Sequence, residues 1–133
     1  MSRFALLCAA LLCHCSFGPS ATEKAEAGQI SRAVDLLRAA PNAEKAALLA
    51  TLAGLGCVEG DLCELKRVCL AGYSEHVAAL GETARAKSLV LQGGRDSDAA
   101  QALSLASVAL ASAAPKISEC ADAQGAAHRK YKF

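Results

Sequence analysis

The sequence predicts an all-α fold: a small four-helix bundle built around one long antiparallel helical hairpin and stapled by disulfides. Three observations lead there. Alanine and leucine fill long stretches with charges spaced between them, and alanine enters a helix without losing side-chain entropy. β-Branched residues are few and scattered, which argues against a sheet. The segment Cys57-Val-Glu-Gly-Asp-Leu-Cys63-Glu-Leu-Lys-Arg-Val-Cys69 and the distant Cys120 put four thiols at the open end of the expected hairpin.

The totals fit one domain. The chain has 133 residues, with 14 Lys and Arg against 13 Asp and Glu. That balance gives nucleic acid or an anionic membrane no bulk charge to recruit. Seven cysteines are many for a reducing compartment, and the amino terminus accounts for them.

Met1-Ser-Arg3 is positive, Phe4 to Cys13 is apolar, and Ser16-Phe-Gly-Pro-Ser-Ala21 is small and polar. This is the order of a secretory signal peptide, expected over residues 1–21 and cut after Ser20 or Ala21. The apolar run is too short to span a bilayer, which takes about 20 residues as a helix. Lipid attachment at Cys15, followed by Ser16, is the alternative, although His14 stands where lipoprotein signals carry a small residue. Removing the leader takes Cys8, Cys13 and Cys15 away and leaves an even set of four, suited to a secreted or periplasmic location.

The helical domain is expected over residues 22–124. Thr22 is the expected cap of a first helix running to about Ala40, with Ile30, Ala33, Val34 and Leu37 at helical spacing. Glu23 and Glu26 in its first turn and Arg38 in its last complement the helix dipole. Pro41-Asn42 marks a turn, and Asn42 should cap a second helix ending at Leu55, with Gly56 as a left-handed C-cap. Asp61 and Glu64 have capping-box spacing before a third helix from about Leu62 to Gln92. Gly93-Gly94-Arg95-Asp96 is a tight connection, with Asp96 or Ser97 capping the fourth helix. Ala99, Leu103, Ala106, Leu110, Ala113, Ile117, Cys120 and Gln124 then form a heptad seam, facing Cys69, Tyr73, His76, Leu80, Thr83, Lys87 and Val90. Pro115 should kink the fourth helix without ending it. Residues 125–133, with Arg129, Lys130 and Lys132, read as a frayed basic tail.

The hairpin register tests the cysteine pairing. A turn centred on Gly94 and Arg95 sets Cys69 level with Cys120. Four cysteines allow three pairings. Cys63–Cys69 would span about 9 Å of helix, beyond the roughly 7 Å that a disulfide tolerates. Cys57–Cys69 with Cys63–Cys120 misses the register. Cys57–Cys63 with Cys69–Cys120 satisfies both conditions.

No motif here carries catalysis. No serine sits in a Gly-x-Ser-x-Gly elbow, and Gly93-Gly94 lacks the Lys and Ser/Thr of a phosphate loop. Asp96 and Asp98 lack the spaced oxygens of a calcium loop. Cys69, His76 and His128 are the residues of a metal- or haem-binding alternative, but Cys69 and His76 are two turns apart and no close ligand pair exists. No cofactor is therefore expected. The candidate binding features are the acidic loop Glu59-Gly-Asp61, pinned between cysteines, and the tail cations Arg129, Lys130 and Lys132. The expected function is that of an exported, non-catalytic binding or interaction protein whose partner is another protein.

Overall fold

The computed structural model describes residues 18–58 and 60–133. Four helices run α1 (Ala21–Ala39), α2 (Lys45–Gly54), α3 (Gly60–Leu91) and α4 (Asp96–Tyr131). α3 and α4 form the long antiparallel hairpin, and α1 with α2 packs against its open end. The leader, including Cys15, falls mainly outside the described residues, as does Glu59.

The hairpin turn follows from two glycines. Gly93 takes a left-handed φ of 70°, a conformation that only glycine adopts without strain. Gly93 N–H then donates to Val90 O at 3.3 Å and Gly94 N–H to Leu89 O at 2.8 Å, the paired bonds of a Schellman end to α3. The expected register holds. Cys69 and Cys120 are disulfide-bonded with Cα atoms 4.6 Å apart, and Cys57 bonds Cys63. Three residues nearer the turn on each helix, a Cβ added to Gly72 would stand 2.9 Å from the Ile117 backbone nitrogen. Glycine there lets the two backbones approach.

Several local expectations need correction. Ser20, not Thr22, caps α1, closing a capping box with Glu23; a chain cut after Ser20 or Ala21 would lose it. Asn42 lies in a turn and α2 starts at Lys45 with no side-chain cap. Lys45 is buried instead, and its Nζ donates to Leu37 O at 2.8 Å and Arg38 O at 3.2 Å. It satisfies the last carbonyls of α1 from the next helix. Leu55, in extended backbone, ends α2 in place of a left-handed Gly56, and Lys66 Nζ donates to Leu55 O. Arg95 precedes α4, leaving Asp96 and Asp98 in its first turn, where they favour the dipole. Pro115 lies inside α4 on an exposed face, where water can reach the Ala111 carbonyl that the missing N–H would have bonded.

The four helices share one core. It comprises Ala27, Ile30, Val34 and Leu37 of α1, Leu52 of α2, Leu62, Leu65, Cys69 and Tyr73 of α3, and Cys120, Ala127 and Tyr131 of α4. Gln124 sits among them as a polar tie that the apolar seam did not foresee. Its Nε2 donates to Ser31 Oγ at 2.7 Å and Asp35 Oδ1 at 2.9 Å, and its Oε1 accepts from Arg38 at 2.8 Å. α1 is thereby locked to α4 by side chains that satisfy one another.

Residues 125–133 are not a frayed tail. α4 continues to Tyr131, whose side chain is fully buried. The rings of His128 and Phe133 lie 4.2 Å apart, and Phe133 lies over Gly28, where an added Cβ would stand 3.8 Å from its side chain. Aromatic residues at both ends of the last turn explain the difference: each finds an apolar seat on α1 or α3 that a basic sequence alone does not advertise.

Candidate functional site

At the base, the two binding features expected from sequence meet and neutralise each other. Asp61 lies in the first turn of α3, and Tyr131 and Lys130 lie in the last turn of α4. Tyr131 OH donates to Asp61 Oδ1 at 2.6 Å, and Lys130 Nζ donates to Oδ2 at 2.7 Å. Both carboxylate oxygens are thus engaged; Asp61 lies inside α3 and so forms no capping box, and Glu64 pairs with Arg67 at 2.5 Å. Burial acts to raise the Asp61 pKa, but the hydrogen bonds from Lys130 and Tyr131 outweigh it and hold the carboxyl below its ordinary value. The same bond to Asp61 raises Lys130, while burial and then Asp61 raise Tyr131. Of the expected binding residues, Arg129 and Lys132 stay exposed in water; Asp61 and Lys130 are spent on structure.

The metal alternative loses its first ligand in the same way. Cys69 sulfur is bonded to Cys120. His76 and His128 stand at opposite ends of the shared base, roughly 22 Å apart along the hairpin by helical rise. Among the described residues, no three His, Cys, Asp or Glu side chains converge on a point that could hold an ion.

The other end of the hairpin is the surface without a structural use. The four-helix core stops at Tyr73 and Ile117. Beyond it α3 and α4 touch mainly through Ala79, Ala86, Ala99, Ala102, Ala106 and Ala113, and the hairpin runs on for about 25 Å at helical rise. In this region Val77, Leu80 and Leu89 are half-buried, but six other large apolar side chains point away from the seam. Val90, Leu91, Leu103, Leu105, Val108 and Leu110 are between 45% and 75% exposed. Val90, Leu103 and Leu110, with Thr83 and Lys87, are therefore exposed and not in the seam where their heptad spacing predicts them. The alanines at spacings of three and four take the inward position because they let the helices close on one another. A legible signal existed. From Ala99 to Pro115 α4 carries no charged residue, so no face of it is marked for water.

One side of this hairpin end forms an open groove of about 310 Å³. Thr83, Ala86, Val90 and Leu91 line it from α3, Ala99 and Leu103 from α4, and Lys87 also contributes. The α1–α2 turn stops beside it, where Asn42 and Ala43 share a second cavity with Leu80, Thr83, Ala84 and Lys87. α1 and α2 cover the lower part of this face, and nothing among the described residues covers the upper part.

The chain matches no protein-family model, no curated protein and no solved structure. Among the described residues no helix is long and apolar enough to cross a membrane.

Proposed function

We propose that this is a small exported, non-catalytic interaction protein, in which a disulfide-pinned base holds out a helical hairpin end with exposed apolar side chains as its binding surface. The observation that carries the reading is the outward placement of Val90, Leu91, Leu103, Leu105, Val108 and Leu110 beyond the core. Scattered apolar residues on a surface are ordinary, but Val90, Leu91 and Leu103 line one groove, and apolar side chains gathered on a projecting element mark a site of contact. A catalytic reading has no comparable support, because the four cysteines among the described residues are bonded and Asp61 is paired. Export is supported by the leader pattern and by two disulfides, which persist in oxidising compartments. Release into the periplasm or the medium fits a cleaved leader; a lipid on Cys15 would keep the same module at a membrane surface.

Two measurements test this. The intact mass of the exported protein reports the mature start, any lipid, and the four hydrogens lost to two disulfides. A photoreactive side chain placed at Leu103 or Val90 in exporting cells should give a protein adduct, while one at Glu119 near the base should give none. Equal labelling from all three positions, or none from any, overturns the assignment of the binding surface.

A further inference from the structure

We infer that the groove at the hairpin end receives an amphipathic α-helix of a partner protein, laid along the hairpin with an acidic residue against Lys87 and a basic residue against Asp96. This rests on the interaction reading above and names the chemistry of the partner.

The first argument is continuity. On α4 Gln124, Ile117, Leu110 and Leu103 recur at heptad spacing and form one stripe. The lower half of that stripe is already covered. Gln124 is buried and bonds Ser31 and Asp35 of α1, and Ile117 packs against the core. The upper half is open, with Leu110 45% and Leu103 53% exposed. α3 repeats the pattern. Tyr73 is in the core, Leu80 is half-buried beside Asn42 and Ala43 of the α1–α2 turn, and Lys87 is exposed. The faces that the first two helices cover therefore continue beyond the point where those helices stop. A further helix on the same line would cover Leu103, Val90 and Leu91 and set its end against the α1–α2 turn. From Thr83 to Gly93 the open stretch is about 15 Å long, room for about three helical turns. Apolar grooves of this kind take the apolar face of an amphipathic helix.

The second argument is charge. Lys87 is the one charged side chain that lines the groove or the cavity beside it. Asp96 continues the stripe of Leu110 and Leu103 one heptad nearer the turn. Among the described residues neither has an ion-pair partner, although Arg85 pairs with Glu82 and Arg95 with Asp98. In the register fixed by Cys69 and Cys120, Asp96 stands level with Gly93, about 9 Å beyond Lys87 along the hairpin. An acid and a base about seven residues apart share one face of a helix and lie about 10 Å apart, which matches. The apolar residues between them then meet Val90 and Leu103. A fatty acyl chain would answer Lys87 alone. A bilayer would have to take in Arg95, Asp96 and Asp98 with the tip, which is costly. An interface this short sits at the low end of specific contacts, below roughly 1,200 Å² in total, so the complex is reversible.

A displayed random library of peptides about 12 residues long, panned against the oxidised full chain, reads this preference. Selection should enrich apolar residues at helical spacing with an acid and a base about seven positions apart. By fluorescence anisotropy, a labelled peptide from that set should bind Lys87→Glu at least about tenfold more weakly, and replacing its acid by lysine should restore binding to that variant. Leu103→Glu, at an already exposed position, should abolish binding with circular dichroism unchanged, and Glu119→Gln near the base should leave it intact. Selected peptides without the charge pair, or binding indifferent to Lys87→Glu, overturn the proposal. So does a chain that uses Leu103 to take up dodecanoate, to bind neutral phosphatidylcholine vesicles or to pair with its own copy. If the Leu103 and Val90 photoprobes capture a protein while the library yields no such peptide, the helix assignment falls and the interaction reading stands; if the probes give no adduct as well, both fall.

Discussion

The phenol of Tyr131 donates to Asp61 at 2.6 Å across the open end of the hairpin, joining the first turn of α3 to the last turn of α4. Tyr131 is completely buried, so this bond is what permits a polar group at that depth. Lys130 completes the carboxylate from the water side. Together they hold the last turn of α4 in place, which is why residues 125–131 are helix and not a loose end.

The two tyrosines of the chain should respond to one substitution with opposite signs. Tyr131→Phe removes a satisfied donor and should cost about 0.5–1.5 kcal/mol. Asp61→Ala is worse, since it leaves the buried phenol unpartnered at about 1–3 kcal/mol. Tyr73 is also buried, but among the described residues its hydroxyl has no hydrogen-bond partner. Tyr73→Phe removes that orphan while keeping the ring, and should raise stability by about 1 kcal/mol. Urea denaturation midpoints at equal slope check all three variants, and destabilisation by Tyr73→Phe would mean that the hydroxyl is satisfied after all.

Stability should be flat near neutral pH and fall on both sides. Asp61 titrates below its ordinary value, and so do Glu64 beside Arg67 and Glu75 beside Lys116. Their contributions are therefore present above the unfolded-state values near 4 and are lost as pH falls through the lower folded values. Lys130 and Tyr131 titrate above their ordinary values. Their contributions are complete below about pH 10 and disappear as pH rises through the raised values. Melting temperature against pH, from 2 to 12, should show this plateau. Asp61→Asn should flatten the acid limb more than Glu64→Gln does, because Glu64 and Arg67 form an exposed pair that water screens.

Much of this fold was readable because it rests on patterns that repeat. Helical composition, the Gly93-Gly94 turn and the register from that turn to Cys69 and Cys120 all follow from spacing. Details decided by a single distant partner were not readable. Lys45 becomes a buried cap only because α2 folds back over the end of α1. Tyr131 is buried only because Asp61 is there to receive it. The seam was legible for half its length. Near Cys69 and Cys120 the large residues do point inward, but towards the turn there is no α1 or α2 to pack against. The alanines then win the interface, and the leucines turn outward. A heptad identifies which positions repeat, but not which of two adjacent stripes meets the neighbour.

The disulfides should differ both in contribution and in access. Cys69–Cys120 joins residues 51 apart in sequence and both are fully buried. Replacing the pair by alanine should cost about 4 kcal/mol on the chain-entropy argument, against about 2 kcal/mol for Cys57–Cys63, which closes only 6 residues. The shorter bridge is partly exposed, so a thiolate can reach it without unfolding. A titration with dithiothreitol, followed by alkylation and mass spectrometry, should therefore pass through a species with two modified cysteines, Cys57 and Cys63. Reduction of both bridges in one step would contradict this burial.

Gly72→Ala tests whether the close approach of α3 and α4 is itself a source of stability. Alanine is the better helix former by about 1 kcal/mol, and propensity alone predicts a gain. The structure predicts a loss. The added Cβ would stand 2.9 Å from Ile117 N and 3.0 Å from the Lys116 carbonyl carbon, both backbone atoms, so neither can swing aside as a flexible side chain would. The helices must separate three residues from a disulfide that holds their Cα atoms 4.6 Å apart. Overpacking of this kind costs about 1–3 kcal/mol, which outweighs the propensity term. Gly81→Ala is the control, because a Cβ there meets nothing within 4 Å and should stabilise by roughly the propensity difference. Opposite shifts in melting temperature for the two variants support backbone contact at Gly72; stabilisation by both would show that the hairpin is looser there than these distances require.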